Sequence, residues 1–202
     1  MNKGILIIIS GPSGSGKGTI VKLLDKEKYA LSISMTTREP RKGEVHGKDY
    51  FFVSKEKFVE LRKNKEFLEH VEFCGNMYGT PRSYVRDKVN EGKFVILEID
   101  VFGALQIKEL YPNSVLVFVV PPSMEELRKR LTGRGTEDEQ TIERRLRRAS
   151  DEIEVVDKYD YIIINDEVER CKDIIDAITV AEKCKPKRNE TIIEDFKGEN
   201  LC

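Results

Sequence analysis

The stretch Ile5-Leu6-Ile7-Ile8-Ile9-Ser10-Gly11-Pro12-Ser13-Gly14-Ser15-Gly16-Lys17-Gly18-Thr19 decides the fold. Its first five residues are uniformly apolar and read as a buried strand, and Thr19 to Leu24 reads as the opening of a helix. Strand, glycine-rich loop and helix in that order form the setting of a phosphate-binding loop. Glycines let consecutive backbone N–H groups turn inward on an anion, and the helix N-terminus adds the positive end of its dipole. Lys17 supplies a mobile full charge able to follow a phosphoryl group. A plain turn would need neither the lysine nor so many glycines. One position departs from the usual pattern: Gly18 follows the lysine, and the first hydroxyl comes one residue later at Thr19. Contact of Thr19 with a metal ion, direct or through water, is therefore less secure than in the full motif.

Outward from this loop the chain alternates strands and helices. Tyr29 to Ser34 reads as a short strand, and a basic loop with Pro40 and Gly43 follows it. Asp49 to Val53 reads as a strand, Ser54 as a helix cap, and Phe67 to Phe73 as a half-buried strand that returns through Gly75-Asn76. Residues 33–83 thus form a β-rich insertion. Phe94 to Asp100, Ser114 to Val120 and Asp160 to Ile164 read as strands buried on both faces, as in a parallel sheet. Helices are expected over Val101 to Leu110, after Ser123, from a capping box at Thr136 to about Val156, and from Glu167 to Lys183. The pattern implies right-handed crossovers and a parallel sheet covered by helices. Beyond Pro186 the composition is polar, and a loosely attached or disordered tail is expected over 186–202.

A chain of 202 residues with net charge −1 can bury a sizeable core and lacks the basic excess of a general nucleic-acid or membrane-surface binder. Cys74, Cys171, Cys184 and Cys202 show no C-x-x-C spacing, so neither a zinc site nor a disulfide framework is expected. Free thiols and the short N-terminal apolar run point to a cytoplasmic protein.

Two further clusters carry chemistry. Arg134 lies between Gly133 and Gly135 at a helix junction, with Arg144 and Arg145 one helix on. A glycine-hinged arginine lid would neutralise a transferring phosphoryl group and exclude water. Arg128, Arg147 and Arg148 read instead as a solvated, salt-bridged face. Arg38 and Arg41, with a tyrosine hydroxyl, suit a monophosphate, because arginine binds phosphate bidentately. Two phosphate clamps suggest a donor and an acceptor nucleotide.

The runs Gly11 to Thr19, Ser34-x-x-Thr37-Arg38-x-x-Arg41, Asp49-Tyr50-Phe51-Phe52, Glu69, Gly75-Asn76-x-Tyr78-Gly79-Thr80, Glu98-Ile99-Asp100, Arg130-Leu131-x-Gly133-Arg134-Gly135 and Ile164-Asn165-Asp166 together resemble guanylate kinase. The resemblance implies an α/β, three-layer P-loop NTPase fold with a parallel central sheet, a β-rich NMP-binding insertion at 33–83 and a mobile helical lid at about 125–149. The core would comprise 1–32, 84–124 and 150–185. It implies Mg²⁺-dependent transfer of the γ-phosphoryl of ATP to GMP, and to dGMP. ATP would be held by Gly11, Pro12, Ser13, Gly14, Ser15, Gly16, Lys17, Gly18 and Thr19, with Arg134 and Asn165 near its adenine. Arg38, Arg41, Tyr50 and Tyr78 would hold the GMP phosphate, while Ser34, Glu69, Thr80 and Asp100 surround the guanine. Lys17, Arg41, Arg134 and Arg145 would stabilise the transferring group.

Guanine offers N1–H and N2–H₂ donors beside an O6 acceptor, so a carboxylate such as Glu69 pairs with it and would repel adenine's lone pair. Read from its strand alone, Glu69 belongs on the solvent face. Asp100 has two readings, Mg²⁺ contact or the guanine amine. Glu98 stands where an aspartate is expected in some members of the family. No nucleic-acid or membrane partner is expected, and the assembly would be a monomer or a homodimer. The alternative function is a non-catalytic guanylate-kinase-like interaction module, which the intact loop and lid arginines disfavour.

Overall fold

The computed structural model describes residues 4–41, 43–73, 75–133 and 138–199. Strand β1 (Leu6–Ser10) leads through the glycine loop into α1 (Lys17–Leu23) and then β2 (Tyr29–Leu31). A second group follows: β3 (Met35–Thr36), β4 (Phe51–Phe52), α2 (Lys55–Lys63), β5 (Phe67–Phe73) and β6 (Asn76–Pro81). The chain then resumes the first pattern with α3 (Arg82–Asn90), β7 (Phe94–Glu98), α4 (Val101–Leu110) and β8 (Val115–Val120). It ends with α5 (Met124–Thr132), α6 (Glu139–Ile153), β9 (Tyr161–Ile164), α7 (Val168–Lys183) and α8 (Glu190–Glu199).

The strands β2-β7-β1-β8-β9 form one sheet, and every pairing in it is parallel. β1 sits at its centre, which is why Ile7, Ile8 and Ile9 are all fully buried and show no alternation. Ile7 and Ile9 pack on one face with Val21 of α1 and Ile175 and Ile178 of α7. Ile8 packs on the other with Val85 of α3 and Ala104 and Ile107 of α4. Helices on both faces of a parallel sheet leave a crevice at the carboxyl ends of the strands, and the glycine loop opens there.

β9 departs from expectation. It is the edge strand, and Ile162 and Ile164 are more than half exposed (54 % and 55 %), so only Ile163 of the run joins the core. Three consecutive isoleucines say "buried" without saying on how many faces.

The insertion forms its own sheet in the order β4-β3-β6-β5, with α2 beside it and Phe58 stacked on Phe67 at 4.5 Å between ring centres. β5 and β6 are an antiparallel hairpin, and Gly75 takes a positive φ of 73° in its turn. Among the expected caps, Ser54 accepts from Lys57 N and Ser123 from Glu126 N. The long charged helix is capped differently from the reading of the sequence. Asp138 accepts from Thr141 N at 2.7 Å and the helix begins at Glu139, whereas Thr136 lies outside the described residues. The carboxylate is the stronger acceptor facing the helix dipole. The segment expected to be loose or disordered is helical over Glu190–Glu199, preceded by a 3₁₀ turn at Pro186–Arg188. Ile192, Ile193 and Phe196 of α8 stay exposed.

Candidate active site

The loop after β1 takes its shape from glycine at two points in particular. Gly16 has φ 91°, and a Cβ there would lie 2.2 Å from the Asn165 amide nitrogen. Gly11 has φ 129°, and a Cβ there would lie 2.2 Å from the Val119 carbonyl oxygen. No other residue fits either place. Lys17 opens α1 and folds back across the loop, its Nζ donating to the carbonyls of Gly11 (2.7 Å) and Pro12 (3.0 Å). The loop is buttressed from below and covered from above. Underneath, Asn165 is 2 % exposed and donates from Nδ2 to Ser15 O at 2.7 Å. Asn165, the residue expected near an adenine, thus ties the loop backbone to the end of β9. Above, Leu127 and Leu131 of α5 come within 3.0 Å of where a Cβ on Gly14 would stand, and Arg145 of α6 donates to Ser13 Oγ at 3.4 Å. Arg134 lies outside the described residues.

The register of β1 on β7 sets Ile9 opposite Glu98, so the acidic end of β7 arrives beside the loop. Both oxygens of the Glu98 carboxylate are 3.4 Å from where a Cβ on residue 18 would sit. Glu98 lies alongside the bare Cα of Gly18, at contact distance from where a side chain would begin. Desolvation by the surrounding protein raises its carboxyl, an effect tempered because the residue still meets solvent, and Lys17 and Lys22 pull in the opposite direction. Thr19 is solvent-exposed on α1.

On the insertion, Arg38 is gripped by Glu44. Its Nη2 donates to both carboxylate oxygens, at 2.9 and 3.0 Å, and its Nη1 to Glu39 O. The same carboxylate accepts from Arg41 N at 2.7 Å. Arg38 lies 5.5 Å from the Tyr50 ring centre, and Tyr50 meets Tyr78 edge-on at 6.2 Å. Arg38, Tyr50 and Tyr78 are therefore together; Arg41 is exposed at the rim. Sequence reasoning missed Glu44, although a carboxylate three residues from Arg41 in a basic loop is a visible signal.

Deeper in, Glu69 is 7 % exposed and accepts from the Thr80 hydroxyl at 2.7 Å. The solvent-face reading of its strand is thus corrected. β5 changes register against β6 between Phe67 and His70, and Phe67, Leu68 and Glu69 are all buried. Burial pushes the Glu69 carboxyl up to about 7, with the Thr80 bond opposing and the Asp100 charge adding. Asp100 lies across the gap. It caps α4, accepting from Gly103 N at 2.9 Å. Asp100 Oδ1 and Glu69 Oε2 lie 3.4 and 3.5 Å from one point, the place of a Cβ on Gly103. Ser34 is half-buried, its carbonyl accepting from Phe51 N. Arg148, expected on a solvated face, instead ion-pairs with Asp100 at 3.5 Å. Arg128 does lie on such a face, joining α5 to Glu139 and Glu143 of α6.

A phosphate-binding loop thus shares one crevice with a buried Glu69 and a half-buried Asp100, both able to accept from donors. The sequence model described as guanylate kinase matches residues 3–181. The chain belongs to the guanylate kinase family. It is 49 % identical over 201 residues to a guanylate kinase of Caldanaerobacter subterraneus, covering 98 % of each chain. It is 52 % identical over 198 residues to one from Clostridium acetobutylicum, covering 97 % of this chain and 95 % of that one. The crystal structure of guanylate kinase from Anaplasma phagocytophilum superposes with a TM-score of 0.76 at 38 % identity, covering 93 % of this chain and 90 % of that one. The fold is accordingly the α/β P-loop NTPase fold of guanylate kinases. Among the described residues, no helix is long and apolar enough to cross a membrane.

Proposed function

We propose that this member of the guanylate kinase family transfers the γ-phosphoryl of ATP to GMP, and also to dGMP, with Mg²⁺, in the cytoplasm. The observation that carries the choice of base is the buried Glu69–Thr80 pair set against Asp100. An ionised Glu69 accepts from guanine N1–H and N2–H₂, Asp100 from the same amine, and Ser34 donates to O6, joined by Thr80 when its single hydroxyl proton leaves Glu69. Adenine would leave a buried carboxylate facing a lone pair.

Residues Gly11 to Thr19 cradle the ATP phosphates, with Lys17 released from its carbonyl partners to follow the transferred group. Arg38, Arg41, Tyr50 and Tyr78 bind the GMP phosphate. Arg145 stands over the loop at Ser13 and, with Arg41 and Arg134, neutralises charge on the phosphoryl group in transit. A GMP phosphate oxygen is already a nucleophile, so no general base is required. The insertion, residues 33–83, and the lid at about 125–149 close on their nucleotides and expel water.

The residues present fit a magnesium ion. Among the described residues no group of three or more acids, histidines or cysteines could hold a metal alone, which suits an ion that takes most of its ligands from phosphates and water. Glu98, beside the bare Cα of Gly18, and Thr19 would hold it, directly or through water. Asp100 is engaged by Gly103 N and Arg148 and is the weaker candidate. When bound, the ion neutralises phosphate charge and orients the donor.

The test is Mg²⁺- and ATP-dependent ADP formation with GMP, dGMP, AMP, UMP and CMP offered separately. Turnover with GMP and dGMP alone is expected. Turnover with AMP would overturn the role given to Glu69, and GMP binding without turnover would favour an interaction module.

A further inference from the structure

Arg148 is placed where the lid helix meets the guanine side of the crevice, and nothing in the transfer chemistry requires it. Its Nε donates to Glu152 Oε1 at 2.7 Å one turn along α6, and its Nη2 lies 3.5 Å from Asp100 Oδ2 at the head of α4. Glu152 is only 8 % exposed, so the guanidinium is held from below by a buried carboxylate and is not a loose surface arm. Asp100 needs such a partner. Its Oδ1 and the Glu69 Oε2 converge on one point above Gly103, and two like charges there oppose each other. A cation on the far oxygen of Asp100 offsets that repulsion and fixes the carboxylate's rotation, leaving Oδ1 turned toward Gly103 and the pocket.

We propose that Arg148 is a positioning residue of the guanine pocket, holding Asp100 correctly turned and so linking lid helix α6 to acceptor binding. This rests on the reading of Asp100 as a guanine ligand. The guanidinium touches no substrate; it acts through Asp100. A bare i,i+4 pair with Glu152 would support the helix only, and would leave nucleotide affinity alone.

The experiment compares Arg148→Gln, Arg148→Lys, Asp100→Asn and the double variant Arg148→Gln/Asp100→Asn. Each is measured by steady-state kinetics and by calorimetric titration with GMP in the absence of ATP. Asparagine keeps the cap of α4, so Asp100→Asn retains the fold. Arg148→Gln is expected to raise Kd and KM for GMP about five- to tenfold, a charge-assisted contact reduced by partial solvent exposure. KM for ATP should stay within about twofold, Arg148→Lys should restore most of the loss, and Arg148→Gln should add nothing once Asp100 is Asn. If Asp100→Asn weakens GMP but Arg148→Gln does not, or if Arg148→Gln acts equally in both backgrounds, the proposal is overturned while the guanine assignment stands. If Asp100→Asn leaves GMP affinity unchanged, the assignment of Asp100 fails and the role of Arg148 falls with it.

Discussion

Glu69 is a carboxyl group whose surroundings resist its charge. Burial raises its carboxyl to about 7, so below that pH the nucleotide-free protein keeps a proton that the unfolded chain would release near pH 4.5. The folded form therefore binds more protons than the unfolded one between those values, and this group's contribution to stability falls as pH rises through that window. Guanine's two donors reward the ionised form instead. KM for GMP should consequently rise as pH drops below about 7, while KM for ATP stays flat; a GMP profile level from pH 8 to 6 would refute this. Glu69→Gln should cost about 100-fold or more in kcat/KM for GMP, two charge-assisted bonds being lost, yet leave the melting temperature of the free protein undiminished. How readily such a residue is found in sequence depends on its face. Glu69 stands at even spacing from Phe67 and Val71, so strict alternation sets it among apolar neighbours, and the solvent-face reading of the strand overlooked that spacing. Arg148 gave no comparable signal. Its partner Asp100 is 48 residues away, and only packing brings α6 to the head of α4.

Among the elements, the basic loop between β3 and β4 depends on one side chain. Glu44 binds the Arg38 guanidinium with both oxygens and the Arg41 backbone with one, tying the two expected phosphate ligands into a single unit. These bonds hold Glu44 well below the usual carboxylate range, the Arg38 side chain first and the Arg41 backbone second. Glu44→Gln should raise KM for GMP about tenfold without moving KM for ATP. Initial-rate measurements with each substrate varied would check it, and an unchanged GMP value would sink it. Elements with strong local signals were legible: the glycine loop, the exact span Val101–Leu110 and the caps at Ser54 and Ser123. β9 was misjudged because side-chain type reports burial and not position in a sheet. The start of α6 was misplaced because Thr136 and Asp138 both precede acidic residues, and local chemistry alone did not choose between them.

Across the whole molecule, α7 is fastened to the far edge of the sheet by Asp176. Burial would raise this carboxyl, but bonds from Lys28, Tyr29 and Lys172 outweigh it and bring it down to about 2. Because its folded value lies below the ordinary one, its stabilisation is complete above about pH 4 and disappears as pH falls toward 2. Asp176→Asn should lower stability by about 1–2 kcal/mol at pH 7, allowing for solvent screening, and flatten the acid limb of a denaturation series. An equal fall in wild type and variant between pH 4 and 2 would count against it. The C-terminal segment is fastened similarly, with Glu182, 1 % exposed, accepting from Tyr161, Lys185 and Arg188. The half-bare edge strand β9 has a different consequence, felt in the test tube. Ile162 and Ile164 beside an open strand edge form a template on which a second polypeptide could add, and Asp160, Asp166 and Glu167 act as stops at its two ends. Shelf life in concentrated solution should therefore be set at this margin, and Ile162→Lys should delay turbidity on storage while turnover stays as it was.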